Sequence, residues 1–189
     1  MRKVVVSEFM SVDGVMEAPY EWQPAFWHDD IGSYRNEELF ASDALLLGRV
    51  TCEGFASARP TMDGTGEFGE RMNSMARYVV STTLEQANWT NSTIIREDVA
   101  NEVARLKEQP GENILIAGSA DLVRSLMRDD LIDEYRLMIH PVVTGQGRRL
   151  FADTSDLTSL RLVDSRTFPT GVIVLTCHRT EPADSSTAS

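Results

Sequence analysis

Short apolar runs that alternate with helix-patterned segments constrain this chain more than any other feature. "KVVVSEF" (3–9), "DALLLG" (43–48), "ARYVVST" (76–82), "STIIRE" (92–97) and "NILIAG" (113–118) read as strands. Consecutive apolar side chains of this kind suit strands covered on both faces. "DIGSYRNEELFAS" and the segment opening "RVTCEGFAS" read as helices. "VANEVARLKEQ" puts Val99, Val103 and Leu106 on one stripe, stopped by Pro110 and Gly111. "SADLVRSLMRDD" places Leu122, Val123, Leu126 and Met127 on one face. Strands that alternate with helices pair in parallel through crossovers. "DEYRLMIHPVV" is a long strand in which Tyr135, Leu137 and Ile139 alternate with smaller or polar side chains. "LRLVDSRTF" and "GVIVLTCHR" flank the turn Pro169–Gly171 and form a closing hairpin. The expectation is an α/β fold: one mixed, mostly parallel sheet of about eight strands with about four helices. A single domain over 1–180 accounts for every element. Residues 10–29 and the Gly/Pro/Thr-rich stretch 58–69 are expected as loops, and the polar tail 181–189 as disordered.

Composition narrows the function. At 189 residues and 42% hydrophobic content the chain can bury a sizeable core. No apolar run approaches the roughly 18 residues that span a bilayer. "MRKVVVSEFM" lacks the length and cleavage site of a signal peptide, so a cytoplasmic location is expected. Cys52 and Cys177 then read as reduced and structural, and no ligand spacing suggests a metal. A net charge of −11 argues against a nucleic-acid partner. Lys3 and Lys107 are the only lysines; a salt-rich cytoplasm or a genomic bias gives the same pattern.

Two strand-to-helix turns carry the chemistry. In "LLLGRVTCEGF" (45–55), Gly48 lets a ligand approach the backbone, and the helix that follows points its free N–H groups there. Arg49 can pair with a phosphate and Thr51 can donate a hydroxyl. In "LIAGSADL" (115–122), Gly118 and Ser119 stand in the same relation to the next helix. Ser119 is either a ligand contact or an ordinary N-cap. A third strand end, "VVSTTL" (79–84), adds the hydroxyls of Ser81 and Thr82. Ligands in open α/β sheets bind beyond such ends.

These pieces in this order resemble the dihydrofolate reductase superfamily, closest to the RibD C-terminal reductase domain of riboflavin biosynthesis. The resemblance rests on "SEFMSVDGVME", "LLLGRVTCEGF", "YVVSTTL", "ILIAGSADLVRSLMRDDLIDEYRLMIHPVVTGQGRRLF" and the hairpin, and covers residues 3–179. It implies a three-layer α/β/α fold with NADPH across the strand ends. Gly48, Arg49 and Thr51 would lie at its phosphates, Arg49 at the 2′-phosphate. Ser81 and Thr82 would sit by the adenosine half. Gly118, Ser119, Ala120 and Leu122 would follow the pyrophosphate, and Val12, Asp13 and Gly14 would border the nicotinamide. Dihydrofolate reductases carry two glycines where this chain has Gly118-Ser119, which favours the wider family. No deaminase signature H-x-E…P-C-x-x-C is present. In the riboflavin branch, similar domains pair through their C-terminal strands, which implies a homodimer.

At the substrate end the resemblance points to a carboxylate on the helix before the Gly48 turn. Asp30 is the first candidate and Glu37 the second; alternatively both face solvent. Trp22 and Trp27 can stack on a heterocyclic substrate or cover the sheet as core. The leading reading is an NADPH-dependent reductase similar to 5-amino-6-(5-phosphoribosylamino)uracil reductase. Dihydrofolate reduction and a non-catalytic nucleotide-binding protein are the alternatives.

Overall fold

The computed structural model describes residues 1–62, 66–151 and 157–180, without the side chains of residues 59–62. The elements run β1 (Val4–Ser11), α1 (Pro19–Trp22), a 3-10 turn (Gln23–Phe26), α2 (Asp29–Phe40), β2 (Ser42–Gly48), α3 (Arg49–Met62), α4 (Glu67–Ser74) and β3 (Ala76–Val80). They continue with β4 (Ser92–Ile95), α5 (Val99–Glu108), β5 (Asn113–Ile116), α6 (Ala120–Arg128), β6 (Glu134–His140), β7 (Leu160–Thr167) and β8 (Ile173–Arg179). The eight strands form one sheet in the order β4-β3-β2-β5-β1-β6-β8-β7. The first six are parallel; β8 runs antiparallel to β6, and β7 to β8. This is the expected α/β fold with its closing hairpin.

Alternation along the strands splits the core in two. Leu45 and Leu47 of β2 pack with Cys52 of α3, Met72 of α4 and Leu39 of α2. Leu46 faces the other way and packs with Val103 of α5 and Leu122 and Leu126 of α6. Helices therefore cover both faces, and Val4–Val6 of β1, Ala44–Leu47 of β2 and Ile114–Ile116 of β5 are apolar at consecutive positions. Chains leaving β2 and β5, which are neighbours, turn to opposite faces. Such a switch opens a crevice at the carboxyl ends of the strands.

Several expectations change. Residues 10–29 are not a continuous loop, because α1 and the 3-10 turn fall within them. Neither has a buried residue, so no apolar periodicity marked them. The stretch 58–69 is not all loop: α3 runs past Pro60 to Met62, and α4 starts at Glu67. Pro60 lies inside α3, where its missing N–H removes one i→i−4 bond without ending the helix. The helix count accordingly rises to six α-helices among the described residues. β3 and β4 are parallel neighbours, yet residues 81–91 connect them without a helix. The tail 181–189 lies outside the described residues.

Candidate functional site

The turns after β2 and β5 interlock. A Cβ built on Gly48 would come within 2.5 Å of Ser119 Oγ and 2.7 Å of its Cβ. A Cβ on Gly118 would come within 2.9 Å of both Cγ2 and Oγ1 of Thr51, and Gly118 has φ +90°. Any side chain at either glycine would force the two turns apart. Their closeness sets the N-termini of α3 and α6 side by side at the crevice, and both helix dipoles offer positive potential there. Ser119 occupies the N-cap of α6 at φ 85° but makes no capping hydrogen bond. Capping, one of its two sequence readings, is therefore not its role. A non-glycine residue at that φ carries backbone strain of about 1–3 kcal/mol.

Arg49 opens α3 and is half-exposed, with Glu53 3.2 Å away at i,i+4. An exposed pair of this type contributes at most about 1 kcal/mol, so the guanidinium can be recruited by another anion. Ser81 directs its hydroxyl into its own turn, accepting hydrogen bonds from Thr83 N (3.2 Å) and Leu84 N (3.0 Å). Thr82 is exposed at the tip. A cavity of about 280 Å³ flanks this turn, lined by Cys52, Ala56, Ser57 and Leu84 among others. Ala120 and Leu122 are buried, and Leu122 belongs to the core cluster on the α6 face. Their side chains cannot line the crevice, and only their backbone is available to a ligand.

The model of the RibD C-terminal domain matches residues 2–174.

The chain belongs to the RibD C-terminal domain family.

Two Bacillus subtilis (strain 168) proteins, the uncharacterized YyaP and YwjB, are each 30% identical to it. The YyaP match covers 94% of this chain and 95% of that protein; the YwjB match covers 88% and 92%. A Shewanella sp. PV-4 structure named for riboflavin biosynthesis superposes with TM-score 0.77 at 19% identity, over 95% of this chain and 99% of that one. A pyrimidine reductase-like protein of Corynebacterium diphtheriae gives 0.68 at 12%, over 96% and 93%. The Thermotoga maritima diaminohydroxyphosphoribosylaminopyrimidine deaminase/5-amino-6-(5-phosphoribosylamino)uracil reductase gives 0.68 at 14%. That match covers 95% of this chain and 57% of the two-function protein. At these identities the structures establish the fold.

In this RibD C-terminal domain the loop after β1 is latched rather than open. Asp13 Oδ1 accepts from the Ser11 hydroxyl (2.7 Å) and Thr144 N (3.2 Å), and Oδ2 accepts from Gly145 N (3.0 Å). The Ser11 bond, with those amides, holds its carboxyl down to about 2. Asp13 thus ties the β1 loop to the loop after β6. Gly14 turns the chain at φ 82°, and Val12 is exposed beside it.

Around the 3-10 turn the aromatic residues cluster on His140. Trp22, Phe9 and Phe26 meet its ring edge-on, with centroids 5.1, 5.5 and 5.9 Å away. His140 is fully buried, and Met138 O lies 3.0 Å from its Nδ1. Trp27 is half-exposed and rests on Gly32, where a Cβ would reach its Cζ2 at 3.1 Å. Asp30 lies in the first turn of α2, exposed, while His28 Nδ1 supplies the cap by accepting from Asp30 N. Glu37 is two turns further along, exposed, 3.8 Å from Arg166 of β7. Because α2 runs back from the carboxyl ends of the strands, Glu37 is carried away from the crevice.

Two polar groups of the interior escaped the sequence reading. Glu38 is buried and binds the Ser7 hydroxyl (3.0 Å) and Arg35 (2.7 Å), with Arg136 3.6 Å away. Arg35 and Glu38 are spaced i,i+3, like any surface helix pair, so no pattern marked them. Glu8 of β1 is also buried, and its Oε1 accepts from Gly118 N at 2.7 Å. A glutamate between Val6 and Met10 in an apolar strand was the available signal.

Proposed function

We propose that this RibD C-terminal domain is an NADPH-dependent reductase of a nitrogen heterocycle, of the phosphoribosylamino-pyrimidine type. The interlock of Gly48 with Ser119 and of Gly118 with Thr51 carries the reading. It brings two helix N-termini together through the small side chains of Ser119 and Thr51, with an arginine at the rim, an arrangement that fits a pyrophosphate and a further phosphate. Arg49 takes the 2′-phosphate, and the Ser81–Leu84 turn with its neighbouring cavity takes the adenosine half. Val12 and Gly14 border the nicotinamide.

NADPH supplies a hydride to the acceptor carbon. The chain orients the acceptor against Trp22 and its aromatic neighbours and delivers the proton that the hydride-accepting group requires. Asp30, exposed in the first turn of α2, holds a water at the rim that passes on this proton. Glu37 takes no part in this account. Partnering follows from β7, the outer strand: Leu162 and Val163 are exposed on it. Such an edge is suited to pairing with a second copy.

The test is NADPH oxidation by purified protein with 5-amino-6-(5-phosphoribosylamino)uracil and, separately, dihydrofolate. Turnover of the pyrimidine supports the proposal; rapid turnover of dihydrofolate alone would replace it. Tight NADPH binding without oxidation by either would favour a non-catalytic nucleotide-binding protein.

A further inference from the structure

Gly118 N, the amide expected to face an anion above the β5–α6 turn, points down instead and donates to Glu8 Oε1 at 2.7 Å. Glu8 lies on the same face of β1 as Val4, Val6 and Met10, the face that α6 covers with Leu122, Val123 and Leu126. Ile116 is the last β5 residue paired with β1, so Glu8 sits just past the end of β5 and fills the space under the turn. The strand neighbour on β6 is Leu137. Arg35 of α2 contributes the attractive charge felt by this carboxyl, against the larger cost of burial. From α6, Asp121 is engaged by Arg124 and Arg148. From α3, Arg49 faces solvent and Glu53.

We propose that Glu8 is a positioning residue that makes dinucleotide binding depend on its own protonation: the neutral acid accepts a phosphate above the Gly118 turn, and the carboxylate repels it. This rests on reading the strand ends as a dinucleotide site. Either form can accept the Gly118 N–H, so the turn keeps its shape while the charge beneath it changes. Burial pushes the Glu8 carboxyl up to about 8, which leaves the acid neutral under ordinary conditions. An anion bound above it raises that value further, so binding takes up a proton as the pH climbs past 8. Affinity is level below that point and weakens above it. Each unit of coupling corresponds to about tenfold in dissociation constant.

The experiment titrates NADH and NADPH into the full chain from pH 7 to 9.5, for the wild type and Glu8→Gln. NADH is included because it lacks the 2′-phosphate and its contact with Arg49. The glutamine keeps an oxygen for Gly118 N and cannot ionise. The expected result is a wild-type Kd that rises about tenfold for both cofactors, with a flat profile in the variant. Identical profiles in the two proteins would overturn the inference while leaving the cofactor site standing. Absence of binding by either cofactor at any pH would overturn the site and the inference together. Should the variant fail to fold, carbon-13 NMR of the wild-type Glu8 carboxyl decides. Its titration moves to higher pH when NADPH is added, and an unmoved titration contradicts the proposal.

Discussion

Gly48 and Ser119 touch across the two central strand ends, and no side chain fits between them. Gly48→Ala sets a methyl 2.5 Å from Ser119 Oγ, an overpacking that costs about 1–3 kcal/mol. The cost should shrink by at least about 1 kcal/mol when Ser119→Gly is combined with it, because the clashing atoms are gone. Denaturant unfolding of the two single variants and the double variant measures that coupling. Simple additivity would mean the turns do not constrain each other.

Arg49→Ala should separate the two cofactors. Its exposed partner Glu53 holds it weakly, so little stability is lost. NADPH affinity should fall by about 1.5–3 kcal/mol, as for a charge-assisted contact, with little change for NADH. An equal loss for both cofactors would remove Arg49 from the 2′-phosphate.

Glu8 also affects the pH dependence of stability. Its carboxyl rises from 4.5 to about 8 on folding, so the native state holds this proton more tightly than the unfolded chain. The stabilisation is full below 4.5 and is lost as pH rises through 8. Relative to Glu8→Gln, the wild type should therefore lose on the order of 3 kcal/mol between pH 5 and 8. Unfolding midpoints across that range give the difference, and parallel curves would show an unburied carboxyl.

Asp13 behaves in the opposite sense. Its carboxyl is lowered from 3.8 to about 2, so its contribution is present above 3.8 and is lost as pH falls through 2. Asp13→Asn should weaken the bonds to Thr144 and Gly145 at neutral pH, which hydrogen exchange of those two amides would report. Unchanged protection would mean that the loop is held by other contacts, such as Arg149 to Asp13 O.

The parallel strands were legible because a strand buried on both faces is apolar at consecutive positions, as Leu45, Leu46 and Leu47 are. The strand-end turns were legible because small residues follow such runs directly. α1 was hidden because a four-residue helix with no buried side chain has no period to read. The end of α3 was hidden by Pro60, and α4 by the glycines around Phe68 and Met72. Glu38 and Glu8 were hidden for another reason: their partners, Ser7 at one and Gly118 at the other, are 31 and 110 residues away in sequence. Local patterns carry no record of such pairs. The same holds for Asp13, whose carboxylate reaches Thr144 and Gly145, far along the sequence.

The most direct test of the whole account is a backbone-amide NMR titration of the full chain with NADPH. Large shifts are expected together at Gly48–Thr51, at Ser81–Thr82 and at Gly118–Ala120. Saturation with none of these amides moving, or with the shifts gathered elsewhere on the molecule, would contradict it.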